Sequence, residues 1–125
     1  MIYRFLVIDS EANRRSSLGR TLKLAFADAV FARTDHFITA LHLLNGYAYD
    51  AIVVRHAVWT DLETLVSGLR EAEADVPVVV MADVDQPGKL TDAGSTHVLR
   101  SEEWTALGAV LEEMLAQRRP TQLQP

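Results

Sequence analysis

A single α/β domain built on a parallel sheet is the fold class that this sequence predicts. Short apolar runs of strand length alternate with segments of helical periodicity, and this alternation is typical of βαβ units. Several of the runs are continuously aliphatic or β-branched, as strands are when helices cover both faces of the sheet. A length of 125 residues suits one compact domain with a core of ordinary size. We therefore expect five βα units around one sheet.

The apolar runs place the strands, and the periodic segments between them place the helices. The predicted strands are residues 3–8, 29–32, 51–54, 76–81 and 97–99. Residues at helical spacing give each long helix one apolar face. These faces are Leu18, Leu22, Ala25 and Ala29 in the first helix; Ile38, Leu41 and Leu44 in the second; Leu62, Leu65, Val66 and Leu69 in the third; and Trp104, Leu107, Val110, Leu111, Met114 and Leu115 in the last.

Helix ends are predicted from local signals. Gly46 and Gly94 are each expected to close a helix in a left-handed conformation. Ser101, followed by two glutamates, is the expected cap of the last helix, since acidic residues suit the positive end of a helix. Segment 83–93 contains Pro87 and few large apolar residues, so we expect a fourth helix of only about two turns there.

The end of the chain predicts a boundary. Residues 118–125 contain two prolines and show no apolar face that could join the core. We therefore expect a folded domain over residues 1–117, and a disordered tail or the stub of a linker over 118–125.

Composition excludes several classes of function. The chain is 49% hydrophobic and 23% charged with a net charge of −5, which lacks the basic excess typical of nucleic-acid binders. There is no cysteine, so disulfides, thiolate metal sites and cysteine nucleophiles are excluded. The apolar runs are far shorter than the ~20 residues of a membrane span. Neither a nucleic acid nor a membrane is therefore an expected partner, and without a secretion signal at the start the cytoplasm is the expected compartment.

Charged residues follow the first and third predicted strands. Asp9, Ser10 and Glu11 come directly after the first strand, and Arg55 follows the third. In open α/β sheets ligands bind beyond the carboxyl ends of the strands, so these side chains lie where chemistry would occur. A guanidinium group suits carboxylates because its planar fork can bond both oxygens. The sequence therefore predicts an ion pair between Asp9 and Arg55, with Glu11 as a second candidate partner.

The pattern of βα units resembles the receiver domain of bacterial two-component response regulators over about residues 3 to 116. The acidic turn after the first strand, the Val-Pro-Val run at 76–78 and the Ala-Gly turn at 93–94 carry the resemblance. It implies a flavodoxin-like (βα)5 domain with strand order 2-1-3-4-5. Such receivers hold Mg²⁺ with two acids after the first strand and accept a phosphoryl group on an aspartate that ends the third strand.

This chain departs from the receiver pattern at almost every functional position. Asp9 matches the first acid, but Ser10 stands in place of the second and Arg55 in place of the phosphoacceptor. Ala82 replaces the hydroxyl residue that ends the fourth strand, and Arg100 replaces the lysine that ends the fifth. If the match is shifted by one residue, Ser101 takes the lysine position instead. The resemblance therefore implies a receiver without phosphorylation, without Mg²⁺ and without cofactors.

The function that this resemblance implies is signalling through protein contacts, with no enzymatic activity. The hydroxyl that would start the phosphate-dependent switch is missing at Ala82, and His97 stands at the aromatic position of that switch. A partner protein or a second copy of the chain is expected on the surface formed by His97, Arg100, Trp104 and Gly108.

Three other readings remain open. The first is a hydrolase or transferase that uses Asp9, Glu11 and His56, although no nucleophile elbow, phosphate loop or metal cluster supports it. The second is a sensor that binds a small anion at Arg55 and Arg100. The third is a true receiver that is phosphorylated elsewhere, at Asp61.

Overall fold

The structure is a computed structural model that describes residues 2–9, 17–55, 62–73, 75–83 and 85–122. Within these ranges the strands are β1 Arg4–Asp9, β2 Val30–Thr34, β3 Ala51–Arg55, β4 Val78–Met81 and β5 His97–Leu99. The helices are α1 Ser17–Ala25, α2 Phe37–Gly46, α3 Leu62–Ala72, α4 Pro87–Ala93 and α5 Leu107–Gln122. A 3₁₀ helix, Ser101–Ala106, lies between β5 and α5.

The described strands form one sheet in the order β2-β1-β3-β4-β5, and every neighbouring pair is parallel. The predicted fold class and strand order are confirmed. Because all strands run the same way, their carboxyl ends meet at one edge of the sheet. That edge positions the end of β1 beside the end of β3.

Alternation along the strands divides the core into two layers. Even-numbered residues such as Leu6, Val54 and Val80 pack on one face of the sheet with buried residues of α2, α3 and α4. Odd-numbered residues such as Val7 and Val53 pack on the other face with α1 and α5. The central strands are buried on both faces, which explains why their sequences are continuously apolar.

The second helix differs from its prediction in two respects. Ile38 was expected on the buried face but is 66% exposed, and Ala40 and Leu44 are the buried residues of α2. The predicted left-handed conformation at Gly46 is also wrong, since α2 leads directly into extended backbone at Tyr47. Among the described residues, only Gly94 has a positive φ, at 129°, as predicted for the end of α4.

The last helix begins differently from its prediction. The 3₁₀ helix already includes Ser101, and its cap position is Arg100, whose backbone N–H donates to Glu103 Oε1 at 2.9 Å. Since a 3₁₀ helix has three residues per turn, Trp104 falls out of phase with the apolar face of α5. Trp104 is 46% exposed, whereas Leu107 and Leu111 are fully buried. The expected cap at Ser101 and the expected place of Trp104 on the buried stripe are both wrong.

The short fourth helix is confirmed. Helix α4 has seven residues, begins with Pro87 and anchors to the core through Leu90, which is fully buried. Proline suits a first helical position because its missing N–H would have no partner there.

Near the C-terminus, α5 continues past Gln117, the residue at which the sequence predicted that the folded domain ends.

Arg70 connects the end of α3 to the turn before β5. Its guanidinium donates to the Gly94 carbonyl through Nε at 3.0 Å and Nη2 at 2.7 Å. Through Nη1 it also donates to the carbonyls of Val76 at 2.8 Å and Glu73 at 3.3 Å. Burial lowers the pKa of Arg70, while the carboxylates of Asp75 and Glu73 act in the opposite direction. One side chain thus bonds backbone oxygens of two separate turns.

Candidate functional site

Strand pairing brings Asp9 and Arg55 together. The last residue of β1, Asp9, lies directly opposite Arg55, the last residue of β3. Both belong to the odd-numbered set, so their side chains leave the sheet on the same side. Neighbouring strands lie about 4.8 Å apart, which is within reach of an aspartate and an arginine. The sequence therefore fixes this encounter once the two strands are adjacent and in register.

Asp9 and Arg55 form a two-pronged ion pair. Arg55 Nε donates to Asp9 Oδ1 at 3.0 Å, and Arg55 Nη2 donates to Oδ2 at 2.9 Å. The side chain of Asp9 is 1% exposed and that of Arg55 is 18% exposed. A buried carboxylate needs a charged or hydrogen-bonding partner because it has lost its water. The ion pair that the sequence predicted is present.

Arg33 is a third member of the site that sequence reasoning missed. It lies on β2 opposite Val7, which makes it a diagonal neighbour of Asp9, and its Nη2 is 3.8 Å from Asp9 Oδ2. Its side chain is 45% exposed, so its attraction to Asp9 is weaker than that of Arg55. The predicted second strand ended at residue 32, and this early end left Arg33 outside the sheet. A second strand extended by one residue would have included Arg33 on the same face as Phe31.

Two of the other predicted positions, Ala82 and Arg100, follow the next two strands of the sheet. Ala82 follows β4, is buried, and donates its backbone N–H to the Leu99 carbonyl at 2.9 Å. Arg100 follows β5 with a side chain that is 56% exposed, and its Nε lies 3.4 Å from Glu102 Oε1. The remaining predicted residues lie outside the described residues: Ser10, Glu11, His56 and Asp61.

The described residues of the site do not fit a magnesium ion. Mg²⁺ needs carboxylate oxygens with little competing positive charge nearby. Both oxygens of Asp9 already accept hydrogen bonds from the Arg55 guanidinium. In the part of the chain that the structure describes, no three acidic or histidine residues group in a way that could hold a metal. The donor set is therefore that of a structural ion pair.

Three of the four residues predicted for a partner surface are accessible to solvent. His97 and Arg100 are exposed, and Trp104 is half exposed. The fourth, Gly108, is partly buried where α5 faces α1. A Cβ atom placed on Gly108 would lie 3.0 Å from Cβ of Ala25, so this glycine permits the close approach of α5 to α1. The candidate partner surface therefore comprises His97, Arg100 and Trp104.

Solved structures with the same fold include bacterial signalling proteins. One is the receiver domain of a sensor histidine kinase from Pseudomonas aeruginosa, with a magnesium ion coordinated in its active-site cleft (TM-score 0.76, 15% identity, covering 93% of this chain and 99% of that one). A two-component response regulator from Clostridium difficile has a TM-score of 0.77 at 19% identity, covering 92% of this chain and 97% of that one. A protein described as pilus assembly-related, from Burkholderia pseudomallei, has a TM-score of 0.74 at 22% identity, covering 92% and 90% respectively.

These similarities establish the fold of the chain, which is that of response regulator receiver domains. No protein-family model matches the sequence, and a search of curated proteins found no match. Among the described residues, no helix combines the length and the apolar character needed to cross a membrane.

Proposed function

We propose that this chain is a cytoplasmic signalling or adaptor domain of two-component type that works without phosphorylation, through contacts with other proteins. The observation that carries the proposal is the guanidinium of Arg55 on Asp9, with both hydrogen bonds at 2.9–3.0 Å. In the family that the sequence resembles, Asp9 would help to hold Mg²⁺ and position 55 would accept the phosphoryl group. The proposal gives the domain no catalytic role.

The chemistry of phosphoryl transfer supports this reading. The reaction needs an oxygen nucleophile, a divalent ion that bridges the phosphate, and donors for the developing negative charge. Arg55 offers no oxygen nucleophile, because a guanidinium group has only N–H donors and carries a positive charge. Its fixed charge would also repel a nearby Mg²⁺, by roughly 4 kcal/mol per unit charge at 4 Å and an effective dielectric constant of 20. One substitution thus opposes two requirements of the reaction.

The residue at position 82 supports the same conclusion about switching. A phosphate-dependent switch of the receiver type needs a hydroxyl group that moves toward the phosphoryl group. Ala82 has only a methyl group, which is buried at the end of β4. Without a group that interacts differently in two states, a conformational change has no driving energy. We therefore propose a scaffold with one signalling state, or a switch driven by a partner.

Incubation with a phosphoryl donor tests whether the domain works without phosphorylation. Wild-type protein incubated with acetyl phosphate and Mg²⁺ is expected to incorporate no phosphoryl group and to keep its melting temperature, because Arg55 occupies the acceptor position. Intact-protein mass spectrometry and thermal unfolding measure the two outcomes. Mg²⁺-dependent labelling of the wild type at any carboxylate, including Asp61, would contradict the proposal.

The variant Arg55→Asp provides the matched control for that experiment. It exchanges the cation for a carboxylate beside Asp9, so it is expected to gain a Mg²⁺-dependent rise in melting temperature that the wild type lacks. Labelling of this variant would show that the rest of the pocket is functional, whereas its absence would fit the further losses at Ala82 and Arg100.

The partner surface gives a second test. His97, Arg100 and Trp104 expose an indole and two potential cations at the β5 end of the sheet, and aromatic and arginine side chains are enriched at protein interfaces. We propose that a partner protein or a second copy of the chain covers this surface.

Gel filtration with light scattering tests the homodimer. We expect a dimer at high protein concentration and a shift toward monomer in Trp104→Glu, because the substitution places a charge in the contact. Ile38→Glu is the control, since Ile38 is also an exposed apolar residue but lies on α2. A strict monomer at high concentration, or equal effects of the two variants, would exclude the dimer through this surface.

The alternative of a small-anion sensor finds less support. Arg55 is already paired with Asp9, and Arg100 lies beside Glu102. Both cations that would bind the anion thus have internal carboxylate partners. Because one protein of the same fold is described as pilus assembly-related, we include pilus assembly among the processes that an adaptor of this fold could serve.

A further inference from the structure

A groove between α1 and the edge strand β2 is not used by the function proposed above. It has a volume of about 640 Å³. Its apolar lining residues are Val7, Leu22, Ala29, Val30 and Phe31, and its charged lining residues are Arg20, Lys23 and Arg33. Of the apolar set, Val7 and Leu22 are fully buried and form a floor, so the groove combines an apolar base with charged walls.

The charge of the groove is opposite to that of the whole chain. The chain has a net charge of −5, yet the described residues of this lining include three cations and no carboxylate. Arg20 and Lys23 are exposed, and Lys23 Nζ lies 5.8 Å from the centre of the Phe31 ring. Arg33 is 45% exposed and lies 3.8 Å from Asp9. A local concentration of positive charge in an acidic protein favours an anionic ligand.

The backbone of β2 offers a second means of recognition. Among the described strands β2 pairs with β1 alone, which makes it an edge of the sheet. The Val30 N–H points toward β1, where it donates to the Tyr3 carbonyl at 2.8 Å. Since alternate residues of a strand bond in opposite directions, the backbone groups of Phe31 and Arg33 face the open edge. An open edge can bind an extended peptide by adding one more strand.

The spacing of the cations favours a chain of carboxylates over a single small anion. Arg20 and Lys23 are three residues apart on α1, so they lie on the same side of the helix. Lys23 lies over the ring of Phe31 on β2. Arg33 is two residues further along the same strand, a distance of about 6.6 Å. Side chains on one face of an extended peptide repeat at the same interval of about 6.6 Å.

We propose that the groove between α1 and β2 binds an extended, acidic segment of a partner protein. Carboxylates on one face of the segment would pair with Arg20, Lys23 and Arg33. Apolar side chains next to them would cover Phe31 and the floor of the groove. This surface differs from that formed by His97, Arg100 and Trp104, so the failure of either proposal leaves the other standing.

Nuclear magnetic resonance titration of the ¹⁵N-labelled full chain tests the inference. The probe is a synthetic peptide of alternating glutamate and valine, about nine residues long so that it spans β2. We expect the amide signals of Phe31, Arg33 and the end of α1 to shift, with a dissociation constant below about 1 mM at low salt. The double variant Arg20→Ala/Lys23→Ala is expected to weaken binding at least roughly tenfold, and added salt to weaken it further.

Three controls separate this occupant from others. A peptide with glutamine in place of glutamate should bind far more weakly, because it lacks the charge. Inorganic phosphate and vesicles containing phosphatidylserine replace the peptide in parallel titrations. The proposal is overturned if the acidic peptide causes no shifts at β2, if the glutamine peptide binds equally well, or if phosphate or the vesicles bind this groove more tightly than the peptide. Unchanged binding by the double variant, with its amide spectrum showing a folded protein, would also overturn it.

Discussion

Replacing Arg55 by alanine is expected to lower the free energy of unfolding by about 3–5 kcal/mol, the usual cost of removing one partner from a buried ion pair. The physical reason is that the buried carboxylate of Asp9 would lose the guanidinium that balances its charge. Its carboxylate is 1% exposed and would lose two hydrogen bonds of 2.9–3.0 Å, while Arg33 stays at the longer distance of 3.8 Å. Urea unfolding at neutral pH, followed by circular dichroism, measures the loss.

Two further variants show whether this loss of stability comes from the charge of Asp9 that Arg55 no longer balances. The double variant Asp9→Leu/Arg55→Met removes both charges and keeps apolar volume, so it should be much closer to wild type than Arg55→Ala. Arg33→Ala removes a cation that is 45% exposed and should cost only about 0–1 kcal/mol. If Arg55→Ala costs no more than Arg33→Ala, Arg55 does not neutralise Asp9, and the basis of the proposed function is lost.

Replacing Arg70 by alanine is the second substitution with a large expected effect, a loss of about 2–3 kcal/mol in the free energy of unfolding. Arg70 donates to the Gly94 carbonyl twice and to the Val76 carbonyl once at distances of 2.7–3.0 Å. Without the guanidinium these partly buried oxygens lose their donor. The turn before β5 would then lose the two hydrogen bonds that Arg70 donates to it from α3.

Two variants serve as controls for Arg70→Ala. In Arg70→Lys the single ammonium group can replace one of the bonds but cannot span the Gly94 and Val76 carbonyls together, so it should recover less than half of the loss. Arg20→Ala removes an exposed arginine from α1 and should stay within about 0.5 kcal/mol of wild type. The same urea unfolding measures all three variants. Equal stabilities of Arg70→Ala and Arg20→Ala would show that the Arg70 network contributes nothing.

Arg55→Ala and Arg70→Ala both remove an arginine, but the two losses are expected to differ in their effect on ion binding. Arg55 places a fixed charge where the resembling family places its reactive carboxylate, so its loss is expected to change ion binding as well as stability. Arg70 donates to backbone oxygens that precede β4 and β5, and its loss should change stability without changing ion binding. Comparing Mg²⁺ binding in the two variants therefore distinguishes a pocket residue from a structural one.

The parallel sheet and the central ion pair could be predicted from the residues alone, and the resemblance to receiver domains implied the strand order. Aliphatic runs identify strands buried on both faces, and the βα alternation makes them parallel. Once β1 and β3 are neighbours, the residues that end them must meet, which is why Asp9 and Arg55 could be paired from the sequence. The short α4 was equally accessible, because Pro87 and the scarcity of apolar residues act within a few positions.

Features that depend on how separate segments approach one another could be read only from the three-dimensional packing. Gly108 reads as a surface position in the sequence, yet it lies against Ala25 because α5 packs closely on α1. Trp104 fits the apolar repeat of α5 but is exposed, because a 3₁₀ turn precedes that helix and changes the period. The groove beside β2 likewise joins cations of a helix and a strand. Local patterns specify elements and strand ends, whereas the contacts between helices and the sheet edge arise from packing that no single segment encodes.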